Sequence, residues 1–180
     1  NTPHSRCAGP DEAWRRYKDA SITRRGADGD RETIDGTRCV LAMGENIDRN
    51  VGRVLQRLDE LKLNDDTIVI YCSDNGPNST RWNGGMKGRK GSTDEGGVRS
   101  VGYLRWPTHV PSGRNVAQVA GAIDLLPTLT SLANVPRVGD KPLDGRDLAP
   151  LLRNQAVEWP DRTLFSTWGG RISARTRTHR

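Results

Sequence analysis

The segment that most constrains the fold runs from Thr67 to Arg99. It opens with an apolar run, Thr67 to Cys72, whose β-branched and aromatic residues lack strict alternation. Such a run is typical of a strand buried on both faces of a parallel sheet. The run ends in Asp74-Asn75, and the Gly-Pro pair that follows supplies a bend. Because ligands of α/β sheets gather at the carboxyl ends of strands, we expect the functional site here.

Asp74 and Asn75 are candidate metal ligands. A carboxylate oxygen beside a neutral amide oxygen suits a hard divalent cation, calcium or magnesium, better than zinc, which favours His and Cys. A turn held by side-chain hydrogen bonds would use the same Asp-Asn-Gly-Pro residues. The motif alone leaves both interpretations open.

The motifs that follow this strand resemble those of a known family. The order SDNGP, GGMKGRKGS, EGGVR and RWP resembles the second half of the sulfatases, within the alkaline-phosphatase-like superfamily. In that family the Asp and Asn are metal ligands and the Lys of the KGS segment contacts the sulfate, which implies these roles for Asp74, Asn75 and Lys90. A lysine beside a metal ion can stabilise a bound oxyanion and charge on a leaving oxygen. Lys87 and Arg89 flank Lys90 and are its competitors for this role.

The beginning of the chain carries a second catalytic candidate. An NTPH segment followed by Pro-Asp and an aromatic helix resembles the part of sulfatases where a histidine reaches the sulfate, which here is His4. The helix is expected to start at Pro10 to Glu12 and to carry Trp14 and Tyr17. A structural hydrogen-bonding role for His4 is the alternative.

A long amphipathic helix is predicted before the strand. Apolar residues recur at three- and four-residue intervals from Val40 to Leu61, and charged residues occupy the other face. We expect Val40 to Leu63 to pack on the sheet that contains Thr67 to Cys72, forming an α/β unit. The preceding residues, Ser21 to Gly36, are charged and lack a hydrophobic period, which predicts a surface loop or a poorly ordered segment.

The remaining elements are shorter. Their predicted bounds are a strand at Val101 to Trp106, a helix from Leu125 to Ala133 capped by Asp124, a helical turn at Asp147 to Leu152 and a strand at Thr163 to Trp168. The basic tail after this strand favours a truncated strand pair over a phosphate-binding patch. The expected fold class is therefore α/β: a partial sulfatase-type mixed sheet flanked by helices, with the beginning of a smaller C-terminal antiparallel sheet. The resemblance divides the chain into residues 1–152, the C-terminal part of a catalytic domain, and residues 153–180, a linker and the start of a small subdomain.

Composition bounds the partners. Hydrophobic residues make up 33% of the chain, and the mean hydropathy of −0.73 is polar for a self-sufficient domain, so we expect part of the core to come from other sequence. The net charge is +6, but the basic residues are scattered without a nucleic-acid-binding signature, so nucleic acid is not an expected partner. No apolar run is long enough to span a membrane, and NTPHSRC is not a signal peptide. The family suggests a secreted, periplasmic or lysosomal location. The oligomeric state stays open.

The resemblance also implies a nucleophile that this chain lacks. Sulfatases carry a Cys or Ser in a Cys/Ser-x-Pro/Ala-x-Arg segment that is oxidised to formylglycine, and none of Cys7, Cys39 and Cys72 has that context. The expected function of the full-length parent is hydrolysis of sulfate esters, on a sulfated small molecule or glycan, with a calcium ion, or magnesium, as cofactor. The chain alone should be inactive. The alternatives are a phosphatase or phosphodiesterase of the same superfamily, and a non-catalytic fragment.

Overall fold

The computed structural model describes residues 8–27 and 31–179. His4 and Cys7 lie outside these ranges. The helices are α1 (Asp11–Tyr17), α2 (Ile34–Glu60), α3 (Glu95–Val98), α4 (Leu125–Leu132) and α5 (Ala149–Leu152), and the strands are β1 (Val69–Cys72), β2 (Gly102–Arg105), β3 (Leu164–Trp168) and β4 (Arg171–Arg175). The chain divides into two compact units, Asn1–Leu104 with Trp168–Arg171, and Arg105–Thr167 with Ile172–Arg180.

Two helices pack together in the first unit. α1 begins after Pro10, as predicted, with two acidic residues in its first turn, where they complement the helix dipole. It packs against α2. The buried side chains of the pair are Ala13 on α1 and Ala42 and Met43 on α2.

α2 is longer at its start than the hydrophobic pattern predicted. It begins at Ile34, so the prediction of a loop from Ser21 to Gly36 was wrong for its last residues. The polar residues of the first turn concealed the helix, because they carry no apolar period. At the other end Lys62 takes a left-handed φ of 57°, and the Leu63 amide donates to the Leu58 carbonyl at 2.8 Å. These features form a Schellman-type stop without glycine.

β1 and β2 form a two-stranded sheet. Tyr71 faces Tyr103, with ring centroids 6.4 Å apart, and the Ser73 amide donates to the Val101 carbonyl. This register is antiparallel. The prediction of an inner strand of a parallel sheet was therefore wrong for the described residues, because β1 bonds β2 alone there and Tyr71 is 38% exposed.

The predicted packing of α2 on this sheet was also wrong for the part of the chain that the structure describes. The helix packs against α1, and its contact with β1 is slight at most. Val54 and Leu61, on its apolar stripe, remain 57% and 48% exposed. The hydrophobic period identified the helix correctly, but periodicity does not specify what covers the apolar face.

A buried ion pair organises the second unit. Asp124 ends a 3-10 turn (Ala122–Asp124), and its carboxylate binds the guanidinium of Arg162 through both oxygens. It also accepts hydrogen bonds from the backbone amides of Gly121 at 2.8 Å and Arg146 at 2.7 Å. Asp124 thus closes the 3-10 turn. We had predicted that it caps α4, and it does lie at the N-cap position, but its side chain makes no capping hydrogen bond to that helix.

β3 and β4 form a hairpin. The two residues between them, Gly169 and Gly170, have φ angles of 53° and 75°. Two consecutive positive φ angles define a type I′ turn, whose twist matches that of paired strands. The predicted small antiparallel strand pair at the end of the chain is confirmed. Among the described residues, none of the helices is both long and apolar enough to cross a lipid bilayer.

Candidate active site

The turn after β1 holds the two predicted metal ligands. Asp74 is exposed and Asn75 is half-buried. The Asn75 side-chain amide donates to the Gly76 carbonyl at 2.9 Å, and the Ser73 hydroxyl donates to the Asn75 carbonyl at 3.0 Å. Because the side-chain nitrogen of Asn75 donates to the backbone, the Oδ1 oxygen of the same amide group points away from that contact and can coordinate a metal ion. The local hydrogen bonds and the ligand role are therefore compatible.

Glycines hold this turn against α3. The Gly76 amide donates to the Gly97 carbonyl at 3.0 Å. A Cβ atom on Gly76 would lie 1.8 Å from the Gly96 carbonyl oxygen, and one on Gly96 would lie 2.2 Å from the Gly88 carbonyl oxygen. Real Cβ atoms do not approach so closely. The spacing of these glycines therefore brings the turn, the glycine-rich loop and α3 into direct backbone contact.

The glycine-rich loop folds back toward the turn. Four of its glycines have left-handed φ angles between 74° and 84°: Gly84, Gly85, Gly88 and Gly91. The Lys90 amide donates to the Pro77 carbonyl at 2.9 Å, and the Asn83 side chain donates to the Met86 and Gly88 carbonyls. The backbone of Lys90 lies beside the turn that carries the candidate metal ligands.

The two lysines of the loop have different surroundings. The Lys87 ammonium is 79% exposed and lies 3.4 Å from the Asp94 carboxylate. Lys90 is half-buried and forms no salt bridge with the residues that the structure describes. A lysine already paired with a carboxylate is less able to hold a bound anion. The surroundings favour Lys90 over Lys87 as the anion-binding cation.

The metal ligands are incomplete in the described residues. They contain no group of three or more His, Cys, Asp or Glu side chains placed to hold a metal ion. Asp74 and Asn75 supply the oxygen donors that a hard cation prefers, but calcium takes six to eight oxygen ligands. The pair fits part of such a site.

Sequence reasoning missed the contact between residues 24–26 and the glycine-rich loop. Gly26 packs on Thr80 and Arg81 so closely that a Cβ atom would lie 2.8 Å from the Thr80 methyl carbon and 2.9 Å from the Arg81 amide nitrogen. The guanidinium of Arg24 lies 5.7 Å from the ring centroid of Trp82. The segment had been predicted as a surface loop because it has no hydrophobic period. An adjacent Arg-Arg-Gly followed by a glutamate was the available signal, and it is too common to be informative.

The fold and the site together define a class. A strand that ends in an Asp-Asn pair supplies oxygen ligands for a hard cation, and a lysine on the loop beside it supplies a charge for an oxyanion, so the class is a protein that binds an oxyanion beside a metal ion. The comparison with protein families is more specific, because the family model described as Sulfatase matches residues 2–135. The chain belongs to the sulfatase family.

Curated relatives agree with this assignment. The chain is 42% identical over 131 residues to the steryl-sulfatase of Mus musculus, covering 67% of this chain and 21% of the relative. It is 41% identical over 124 residues to human arylsulfatase A, covering 66% and 24%. It is 35% identical over 136 residues to the N-acetylgalactosamine-6-sulfatase of Canis lupus familiaris, covering 72% and 26%. The chain thus spans about a fifth to a quarter of the length of these relatives.

A solved structure has the same fold. The crystal structure of Ps i-CgsB in complex with k-i-k-neocarrahexaose superposes with a TM-score of 0.77 at 27% sequence identity, covering 99% of this chain and 38% of that one. The predicted partial sulfatase α/β fold is therefore confirmed.

Proposed function

We propose that this chain is the C-terminal part of the catalytic domain of a sulfatase, and that the full-length parent hydrolyses sulfate esters. The family match and the sulfatase relatives support the reaction. The observation that carries the residue assignment is the return of Lys90 to the turn after β1, through its hydrogen bond to Pro77. We extend the proposal to the domain boundary, with residues 1–152 in the catalytic domain and residues 153–180 beginning a smaller subdomain.

Asp74 and Asn75 are the proposed metal ligands within this chain. A bound divalent cation, calcium or magnesium, would polarise the oxygens of the sulfate group. Asp74 and Asn75 would bind one side of this cation at the end of β1, and the bound cation would orient the sulfate group. The geometry of the turn is imposed by the contact between Gly76 and α3, so this part of the site is formed by the backbone before any ligand binds.

Lys90 and His4 are the proposed catalytic residues. Lys90 places a positive charge where negative charge develops on the ester oxygen as the bond to sulfur breaks. His4 would hydrogen-bond the same oxygen and assist departure of the alcohol by proton donation. The nucleophile, a formylglycine by resemblance, is expected on another part of the parent.

The substrate class is a sulfated small molecule or glycan. The relatives are named for sulfated sterols and sulfated N-acetylgalactosamine, and the solved structure contains an oligosaccharide. A metal and a lysine would also bind phosphate, so a phosphate ester is the control substrate. The sulfatase relatives favour sulfate.

Replacement of Lys90 in the full-length parent tests the assignment. Lys90→Ala should lower kcat for a sulfate ester by roughly two or more orders of magnitude, as loss of a preorganised charge at the leaving oxygen does. The matched control is Lys87→Ala, which removes the same charge from a lysine paired with Asp94 and should have a much smaller effect. Near-normal turnover by Lys90→Ala, or faster turnover of a phosphate ester than of a sulfate ester, would contradict the proposal.

A further inference from the structure

An exposed arginine and a half-exposed tryptophan form a pair beside the glycine-rich loop. The Arg24 guanidinium lies 5.7 Å from the Trp82 ring centroid, and Trp82 is 47% exposed. Arg24 is exposed and has no salt bridge with a carboxylate of the described residues. A guanidinium held on an indole and left without an anion is prepared for an anionic partner, because the ring fixes its position without neutralising its charge.

The pair is held in place from both sides. On one side the Glu32 carboxylate, whose side chain has no exposed surface, accepts hydrogen bonds from Arg25 Nε at 2.9 Å, the Gly26 amide at 2.9 Å and the Thr37 hydroxyl at 2.7 Å. These bonds anchor the segment that carries Arg24 to the start of α2. The position of Arg24 therefore depends on a buried charge and not on a free loop.

On the other side Trp82 is part of the loop that returns Lys90 to the turn. The loop is closed by the hydrogen bond from Lys90 to Pro77, and the Asn83 side chain ties its tip. Gly26 packs directly on Thr80 and Arg81, the residues that precede Trp82. The Arg24–Trp82 pair thus belongs to the same compact structure as the proposed anion-binding lysine.

We propose that Arg24 and Trp82 form a substrate subsite that binds a sulfated saccharide, with the indole against a sugar ring and the guanidinium on a second sulfate group. This inference rests on the proposed function and specifies its substrate class. A sulfate that reacts would be held by Lys90 and the metal ligands, so a second cation needs a second anion. A simple aryl sulfate carries one anionic group, whereas a sulfated oligosaccharide carries several. Guanidinium groups bind such oxyanions through two parallel hydrogen bonds.

Binding to the 180-residue chain tests the subsite without requiring turnover. The probe is neocarrahexaose, a sulfated hexasaccharide, compared with the same sugar after desulfation, by calorimetric titration at about 0.15 M salt, where distant surface charges are screened. Arg24→Gln and Trp82→Leu should each weaken binding of the sulfated sugar by about fivefold or more, which is the range for a charge-assisted hydrogen bond or a cation–π contact. The desulfated sugar should bind much more weakly and show no dependence on Arg24.

Two matched controls separate the subsite from general attraction to a basic chain. Arg53→Gln removes one exposed arginine from α2, and Trp159→Leu removes the tryptophan of a second cation–π pair among the described residues, in which Arg146 lies 5.9 Å from the ring. Neither should change binding. Equal losses in Arg24→Gln and Arg53→Gln, equal binding of the two sugars, or no binding of the sulfated sugar would overturn the proposal. Arg24 is exposed, so its variant should keep the native amide spectrum.

The subsite proposal and the proposed reaction can be contradicted independently of each other. In a Lys90→Ala chain the effect of Arg24→Gln on sugar binding should persist. Loss of that effect would assign the binding to Lys90 and overturn the subsite. A normal rate for Lys90→Ala in the parent would contradict the catalytic assignment and leave the subsite standing.

Discussion

Two carboxylates, Glu32 and Asp124, have no exposed side-chain surface, and each has a pKa below its ordinary value. Desolvation raises the pKa of both. This effect of desolvation is outweighed by hydrogen bonds, which lower the pKa. Glu32 accepts them from Thr37, Gly26 and Arg25. Asp124 accepts them from Arg162 and from two backbone amides. A carboxylate that accepts several hydrogen bonds is stabilised in its charged form.

The buried pair in the second unit should make stability depend on acid. Since folding lowers the pKa of Asp124, its contribution is fully present above the unfolded pKa, about 4, and is lost as pH falls through the folded value. Asp124→Asn should lower the free energy of unfolding at pH 7 by about 3–5 kcal/mol, because it leaves the Arg162 guanidinium buried without a countercharge. Urea denaturation between pH 7 and pH 3 measures both effects, and the variant should lose less stability on acidification.

An exposed ion pair provides the control for this prediction. Asp161 lies 3.3 Å from Arg177, and both side chains are more than half exposed. Asp161→Asn should change the free energy of unfolding by less than about 1 kcal/mol, as is usual for surface pairs. Similar losses in the two variants would contradict the special role of Asp124.

Thr108 is a second residue with a local effect on stability. It follows the RWP motif with a φ of 65°, which is strained for a β-branched residue. Thr108→Gly should raise the free energy of unfolding by about 1 kcal/mol. Thr108→Ala keeps a Cβ atom and should gain less. Thermal or urea unfolding measures both variants, and destabilisation by glycine would contradict backbone strain at this position.

At the scale of elements, replacing glycine by alanine should have opposite effects on stability at two positions. Gly52 lies inside α2 with open space around its missing Cβ, whereas Gly96 begins the contact of α3 with the glycine-rich loop. Gly52→Ala should stabilise the chain by about 0.5–1 kcal/mol, because glycine is a poor helix residue. Gly96→Ala should destabilise it by about 1–3 kcal/mol or more through steric overlap with the Gly88 carbonyl.

Hydrogen exchange locates the second effect. Gly96→Ala should increase amide exchange at Lys90 and Gly76, whose hydrogen bonds depend on the contact between loop and α3. Exchange in α1 and α2 should stay unchanged. Unaltered protection at Lys90 would mean that α3 does not hold the loop.

At the scale of the whole molecule, the described residues bury little apolar surface. The buried hydrophobic residues are Ala13, Ala42, Met43, Leu132, Ala149 and Leu151. Large side chains such as Tyr103 and Phe165 are 66% and 71% exposed. Hydrophobic burial is the dominant favourable term in folding, so a chain with a small core has modest stability and depends more on its hydrogen bonds and glycine contacts.

Calcium affinity is a property of the whole chain. The described residues supply only Asp74 and Asn75 as ligands of the proposed site, and affinity rises with ligand number and charge. The 180-residue chain should therefore bind calcium with a Kd of about 1 mM or weaker. Calorimetric titration with calcium measures it, and Asp74→Asn should abolish what binding there is. Micromolar binding, or binding independent of Asp74, would show that other residues hold the ion.

The sequence by itself determined the features that depend on local chemistry. The positive φ angles of Gly84 and Gly88, the hairpin turn at Gly169-Gly170 and the start of α1 follow from the residues at those positions. The position of Asp74 at the end of a strand was likewise predicted from the apolar run before it. These features were predictable because backbone sterics and capping act over a few residues.

Only the tertiary structure decided the contacts between distant segments. It paired β1 with β2 in an antiparallel register, left Val54 of α2 exposed, joined Asp124 to Arg162 and placed Arg24 on Trp82. A hydrophobic period indicates which face of a helix is apolar, but it does not indicate which segment packs on that face. Which residue pairs with a buried charge depends on the loop that lies near it in the folded chain. The position of that loop depends on the free energy of the whole chain.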